Sequence, residues 1–468
     1  MRKEQIKKRA QELLLSAELA EVLEVDVTTI EAAAAEPMGR HSKWLAAALL
    51  CFGVAVASGV AWLRTDGAHE AAQGAFDPVN PWWEDEVPFR VPMVVVKSPE
   101  QVAALPAATA RITVATQQAK EGTIDAVLRR DDLRQLLLVG ANPAPLKIPW
   151  NDLVARDSLR SIGFLSVAVQ AKQLRQLRQL PELRALSLSH GSVSIDATTA
   201  SALAELRTLR HLDVAYDELD PEGLARLADL PALTSLVLGV AGGGPGDLTA
   251  QLAAVAQVRT LRALFFSGNF DPMPADALQK LRGLPNLIAL QLTNFEIDDA
   301  GLAALPRTLQ HLQLPALDTT TPAGIASLAE LDALRSLGFH LRIPEEHEAA
   351  VRDLVLKLPI ECFECLSFAP SAALWSVLGG LPMLRRVRVQ VDDQAPRTVF
   401  EHALGCRKLE VLFVSVPKIP SPEQLGCLRE HPALRRIVLR RYRARTSMPT
   451  TAELTALRNS VRAEIQIL

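Results

Sequence analysis

Apolar positions return along this chain in a fixed figure. From Leu133 onward the spacing L-x-x-L-x-L occurs thirteen times, beginning with Leu133/Leu136/Leu138, Leu159/Ile162/Phe164 and Leu183/Leu186/Leu188 and ending with Leu434/Ile437/Leu439. Most starting positions lie 22 to 28 residues apart. The steps into and out of the unit taken as Phe363/Leu366/Phe368 are irregular. The alternating last part of each figure predicts a short strand. A second signal precedes each strand, an apolar triplet at helical spacing such as Leu174/Leu177/Leu180, Leu224/Leu227/Leu230, Leu278/Leu281/Leu284 or Ile325/Leu328/Leu331. Asp220-Pro221, Thr321-Pro322 and Ser421-Pro422 each offer a capping side chain followed by Pro at the first helical position. Each unit is therefore predicted to be a strand, a capped helix and a return. One such unit cannot bury its own leucines, so neighbours must stack on it.

Thirteen units of this form resemble the leucine-rich-repeat family, and the helix-bearing units near 25 residues are similar to its bacterial and ribonuclease-inhibitor-like classes. The resemblance implies an α/β solenoid, with a curved parallel sheet on the concave face and helices on the convex face. It also implies a protein-binding scaffold. One departure is visible. The Asn expected after the third apolar position is clear only at Asn269, so the loops on that edge are expected to be less regular.

A different pattern stands near the start. Trp44 to Leu63 is an uncharged run of 20 residues, long enough for the roughly 30 Å hydrocarbon core of a bilayer, with Trp44 and Trp62 at its ends. The 43 residues before it are too many for an ordinary signal peptide, so an uncleaved signal anchor is expected. Arg2, Lys3, Lys7, Lys8, Arg9, Arg40 and Lys43 precede the run and Arg64 follows it. That asymmetry predicts a single-pass protein of the cell membrane, its N-terminus cytoplasmic and its repeats periplasmic or extracellular. Residues 1–43 form the expected cytoplasmic helical tail, 44–63 the membrane helix, 64–108 a linker and N-terminal cap, and 109–468 the repeat domain. The cap is read from Val94–Val96 and the capping box at Ser98-Pro99-Glu100-Gln101. Ala17 to Ala33 loosely resembles a helix-turn-helix, but TTIEAAAAE lacks the basic and amide side chains that read bases, so no nucleic acid is expected.

Composition adds that hydrophobic residues make up 49% and aromatics only 4%, which suits a core of many similar small layers. The net charge of −3 gives no global pull toward polyanions. The search for chemistry finds little. His211 and Asp213 share a strand, with Ser187 and Ser235 on its neighbours, yet no strained turn presents a nucleophile and no oxyanion donors are evident. Cys362 and Cys365 form C-x-x-C, with Cys406 and Cys427 further on, but their repeat positions predict small buried thiols rather than metal ligands. Gly242 to Gly244 lacks the Lys of a phosphate loop. No enzyme, cofactor or metal is expected.

The variable positions of the strands should face solvent. Leu137, Leu165, Val237 and Phe265 place apolar side chains there. Arginine recurs just after the first Leu, at Arg134, Arg160, Arg184, Arg210, Arg262, Arg335, Arg385 and Arg435, with stems covering the strand edge and heads in water. From Leu381 to Arg445 there are 14 Lys and Arg against 6 Asp and Glu. Counting along the repeats gathers Arg386, Arg388, Arg436 and Arg440 around Phe413, and these five are the candidate partner-binding residues. The expected function is a membrane-anchored recognition module that binds a protein or an anionic surface ligand through its concave face. The alternative is a transmembrane signalling or regulatory protein whose N-terminal helix contacts a cytoplasmic partner.

Overall fold

Every repeat contributes one strand, and the strands join in chain order. In a computed structural model of the chain, residues 94–467 are described, except 108, 117, 141–147, 190–194, 218–219, 241–244, 316, 392–395 and 442–449. The expected membrane helix, the tail before it and residues 64–93 of the linker lie outside the described residues. Among those described, no helix is long and apolar enough to cross a membrane.

The first strands are β1 (Val94–Val96), β2 (Arg111–Ala115), β3 (Gln135–Val139), β4 (Ser161–Leu165), β5 (Ala185–Ser189), β6 (His211–Asp217), β7 (Ser235–Val240) and β8 (Ala263–Pro272). Then follow β9 (Ala289–Glu296), β10 (His311–Leu314), β11 (Ser336–Phe339), β12 (Cys362–Cys365), β13 (Arg386–Gln390), β14 (Val411–Val416), β15 (Arg436–Arg441) and β16 (Glu464–Ile467). All sixteen form one sheet in sequence order, and every pairing whose register is described is parallel. A parallel neighbour needs a crossover, and the short helices between strands supply it. This is the architecture of a leucine-rich-repeat array.

The register puts like on like. Leu186 pairs with Leu212, Leu236 with Leu264 and Leu290 with Leu312, so apolar residues of successive strands form continuous rows. These side chains have no exposed surface or almost none, and each is worth roughly 1.5–3 kcal/mol of burial. The helix triplets close the core from the other side, with Leu224, Leu227 and Leu230 fully buried. Asp220, Thr321 and Ser421 cap their helices as the sequence indicates, each accepting a backbone N–H from the first turn with Pro behind it.

One unit is framed differently from the sequence pattern. Phe363 pairs with Leu337 and Cys365 with Phe339, so the buried figure is Ile360/Phe363/Cys365, not Phe363/Leu366/Phe368. Leu366 and Phe368 are only partly buried. The pattern misled because a cysteine fills a slot that elsewhere holds Leu, Val or Phe, and a buried thiol behaves as a small apolar group. With Ile360 as its start, the unit falls into step with its neighbours.

A second regularity runs along the edge where the strands begin. The residue before the first Leu is often a hydroxyl residue, and it donates to the carbonyl of the first Leu one repeat earlier. Ser158 reaches Leu133 O at 2.8 Å, Thr208 reaches Leu183 O at 2.6 Å, Thr260 reaches Leu233 O at 2.5 Å and Thr308 reaches Leu287 O at 2.5 Å. These carbonyls lie just outside the strand ladder and would otherwise lack a partner.

Candidate functional site

Two rows of side chains project from the strand face, one at each variable position of the strand. In the middle of the sheet the first row is small, with Ser235, Ala263 and Ala289 side by side. Phe265 of the second row, expected to be exposed, is instead 4% exposed and packs with Ala263, Ala289 and Val237 in an apolar cluster of its own. Leu137, Leu165 and Val237 are partly buried. The Ser, His and Asp grouping is real as a neighbourhood: Ser187 Oγ lies 3.0 Å from Asp213 Oδ2, and His211 Nδ1 lies 2.9 Å from Ser235 Oγ. Neither serine sits in a left-handed backbone conformation of the kind that thrusts a nucleophile forward.

From β10 onward the same two rows turn polar and charged. The first runs His311, Ser336, Cys362, Arg386, Val411. The second runs Gln313, Gly338, Glu364, Arg388, Phe413. Glu364 is 6% exposed and Arg386 is 7% exposed, unusual depths for charged groups on a sheet face. Gly338 is part of the reason. A Cβ there would stand 3.3 Å from Glu364 Cβ and 3.4 Å from Gln313 Cγ, so the missing side chain lets its two neighbours close over the strand. Cys362 Sγ donates to Glu364 Oε1 at 3.7 Å. Burial, with the Arg386 charge added to it, pushes the His311 imidazole down to about 4, so it is neutral at ordinary pH.

The five candidate residues are not all brought together. Arg388 holds its guanidinium over Phe413, 4.5 Å from the ring centroid, an arrangement worth about 0.5–1 kcal/mol at an exposed site. Arg386 stands on the adjacent row, two positions before Arg388 on β13. Arg436 is drawn the other way, its Nε 3.3 Å from Glu464 Oε2 on β16. Arg440 is exposed toward the end of β15. Pattern counting did not find Glu364, Cys362, Gln313 and His311. The misframed Phe363 unit concealed the first two, since starting that unit at Ile360 puts them on the face between Gly338 and Arg388.

The cysteines sit as small thiols. Cys365 and Cys406 are in the core, and burial raises both, Cys406 to about 12. Cys362 is buried on the strand face, and Cys427 is half-buried with its thiol raised by burial first and by Glu401 second. All four are free, and among the described residues no group of three or more His, Cys, Asp and Glu is placed to hold a metal ion.

The chain matches no protein-family model and no curated protein. Among solved structures it is similar to an internalin from Listeria monocytogenes, at 18% sequence identity and a TM-score of 0.33, covering 69% of this chain and 84% of that one. The repeat architecture of this chain rests on its own register and core.

Proposed function

We propose that the repeat array is a recognition module that binds a protein partner on the strand face of β10 to β14. The observation that carries this reading is the charged set Glu364, Arg386 and Arg388 beside the Phe413 ring, held on the consecutive strands β12 to β14. Arginine beside an aromatic ring is a pairing enriched at interface centres. Phe413 supplies an apolar shelf with the Arg388 guanidinium over it, and the buried Arg386 and Glu364 set the charge of the face beside them. Arg436 and Arg440 form the rim.

We further propose that Trp44 to Leu63 anchors the chain, with its N-terminus cytoplasmic and its repeats beyond the membrane. The basic residues before Trp44 support that orientation. Protease added outside spheroplasts is expected to digest the repeats and spare an N-terminal tag; the reverse pattern would defeat the topology.

The binding reading is tested with a photoreactive amino acid in the full chain, placed at Phe413 on the strand face or at Leu356, which is 60% exposed on the helix Glu345–Lys357. Crosslinking in the native cell is expected to give a discrete product from position 413 and none from 356. Arg386→Ser with Arg388→Ser should abolish it. Equal products from both positions, or a product indifferent to the two arginines, would sink the proposal.

A further inference from the structure

The residue just before each strand forms a row of its own along one edge of the sheet. Its backbone is a continuous ladder: Arg160 N–H donates to Arg134 O, Arg184 to Arg160 O and Arg210 to Arg184 O, each at 2.8 Å, then Thr234 to Arg210 O at 2.9 Å and Arg262 to Thr234 O at 2.8 Å. The side chains of Arg134, Arg160, Arg184, Arg210 and Arg262 are therefore held in file, and all five residues are exposed. Neighbouring strands lie about 4.8 Å apart, so the file runs about 24 Å.

The same ladder continues at the other end through Arg335, Glu361, Arg385, Glu410 and Arg435. There the signs alternate and the row pairs with itself. Arg335 approaches Glu361 at 3.9 Å, Arg385 meets Glu410 at 2.6 Å and Arg435 lies 4.0 Å from the same carboxylate. At the N-terminal end Glu182 meets the row, 3.9 Å from Arg160 and 3.3 Å from Arg184. Asp131 and Asp132 nearby are taken by Arg156 and Arg130. Among the described residues Arg134 and Arg210 make no ion pair. The preceding loops carry exposed Arg207 and Arg259 toward β8 and exposed Asp131 and Asp157 toward β3. One edge thus carries aligned like charges whose mutual repulsion a bound polyanion would relieve.

We propose that this strip binds a linear polymer of phosphate groups laid lengthwise from β3 to β8. The strip is one to two side chains wide, which suits a single chain and not a lipid surface or a duplex. Its backbone N–H and C=O groups are spent in the ladder, so it has no edge on which an acidic peptide could add a strand. No aromatic side chain stands in the row to stack bases, as single-stranded nucleic acid binding requires. What remains is a series of guanidinium forks, which phosphate oxygens accept bidentately. This site lies apart from the one on the strand face and does not depend on it.

The test uses the full-length protein and long-chain inorganic polyphosphate, with tripolyphosphate, polyglutamate, single-stranded DNA and anionic phospholipid vesicles alongside. Long polyphosphate is expected to bind tightest and with a steep salt dependence, and tripolyphosphate, too short for the file, at least tenfold more weakly. Replacing all five arginines with Gln should abolish binding and flatten the slope of log affinity against log salt by about 0.7 per lost contact. Arg134→Gln with Arg210→Gln, which breaks no ion pair, should give part of that effect without changing thermal unfolding. Arg335→Gln, Arg385→Gln and Arg435→Gln together should leave binding intact. Failure of the wild type to bind long polyphosphate, equal binding by the five-glutamine variant, or binding of any other probe at least as tight as long polyphosphate overturns the proposal.

Discussion

The two ends of the pre-strand row occupy the same place in the repeat and behave in opposite ways. Toward the C-terminus Arg335, Glu361, Arg385, Glu410 and Arg435 alternate, and Glu410, its side chain 17% exposed, serves two arginines at once. Toward the N-terminus Arg134, Arg160, Arg184, Arg210 and Arg262 share one sign. The backbone ladder is common to both, and the order of charges along it differs. The alternating row pairs with itself, whereas in the other Glu182 meets Arg160 and Arg184 and leaves Arg134 and Arg210 with no ion pair among the described residues. A repeat protein can in this way hold a structural seam and a binding strip on one edge.

Whether both ends stand on one continuous core is open to a severe test. Leu290 is fully buried in β9, between them. Leu290→Asp should cost several kcal/mol, since an unpaired carboxylate there loses its hydration. Hydrogen exchange should show protection falling on both sides of β9; loss confined to one side would split the array into independent halves.

Acid should separate the ends next. His311 is lowered from 6.5 to about 4 by burial and by Arg386, so the unfolded chain takes up its proton first as pH falls. Stability from this group is intact above about 6.5 and is lost progressively as pH drops to about 4. Chemical denaturation across that window is expected to show the loss, and His311→Asn should flatten it. An unchanged pH profile in that variant would mean that the imidazole is not desolvated as described.

Smaller still is the hydroxyl ladder. Thr208→Val removes the 2.6 Å bond to Leu183 O and should cost about 1 kcal/mol, measured by denaturant unfolding. A neutral result would show that water serves that carbonyl equally well.

The least costly change goes to the comparison itself. Exchanging the charge orders, with Glu361→Arg and Glu410→Arg at one end and Arg160→Glu and Arg210→Glu at the other, should alter stability by roughly 0.2–1 kcal/mol per exposed pair. Polyphosphate binding should nonetheless move to the C-terminal end. Binding that stays where it was would show that charge order is not what distinguishes the two ends.

Much of this was legible before any coordinates. Strand positions outside the Ile360 unit and the buried Cys406 follow from spacing, because a stacked unit repeats its apolar slots, and the Asp220, Thr321 and Ser421 caps follow from a capping side chain before Pro. The recurring arginines were visible too, but not which of them are paired. That depends on which residue stands beside each one in the next repeat, and Glu361 falls into the row only when its unit is started at Ile360. A single cysteine in a leucine slot therefore concealed both the alternation at the C-terminal end and the carboxylate of Glu364. The hydroxyl ladder left a signal of its own, Ser or Thr directly before Leu159, Leu209, Leu261 and Leu309, which reading for apolar residues passes over.

The strictly sequential order of the sheet bears on how the array responds to mechanical load. Since each strand is bonded only to the strands before and after it in the chain, tension applied at the ends meets no clamp formed by distant segments. Extension would then peel repeats one after another, each releasing roughly 25 residues, or about 80 Å of extended backbone. Such a load would be absorbed in small steps, while the repeats still folded kept their stacking.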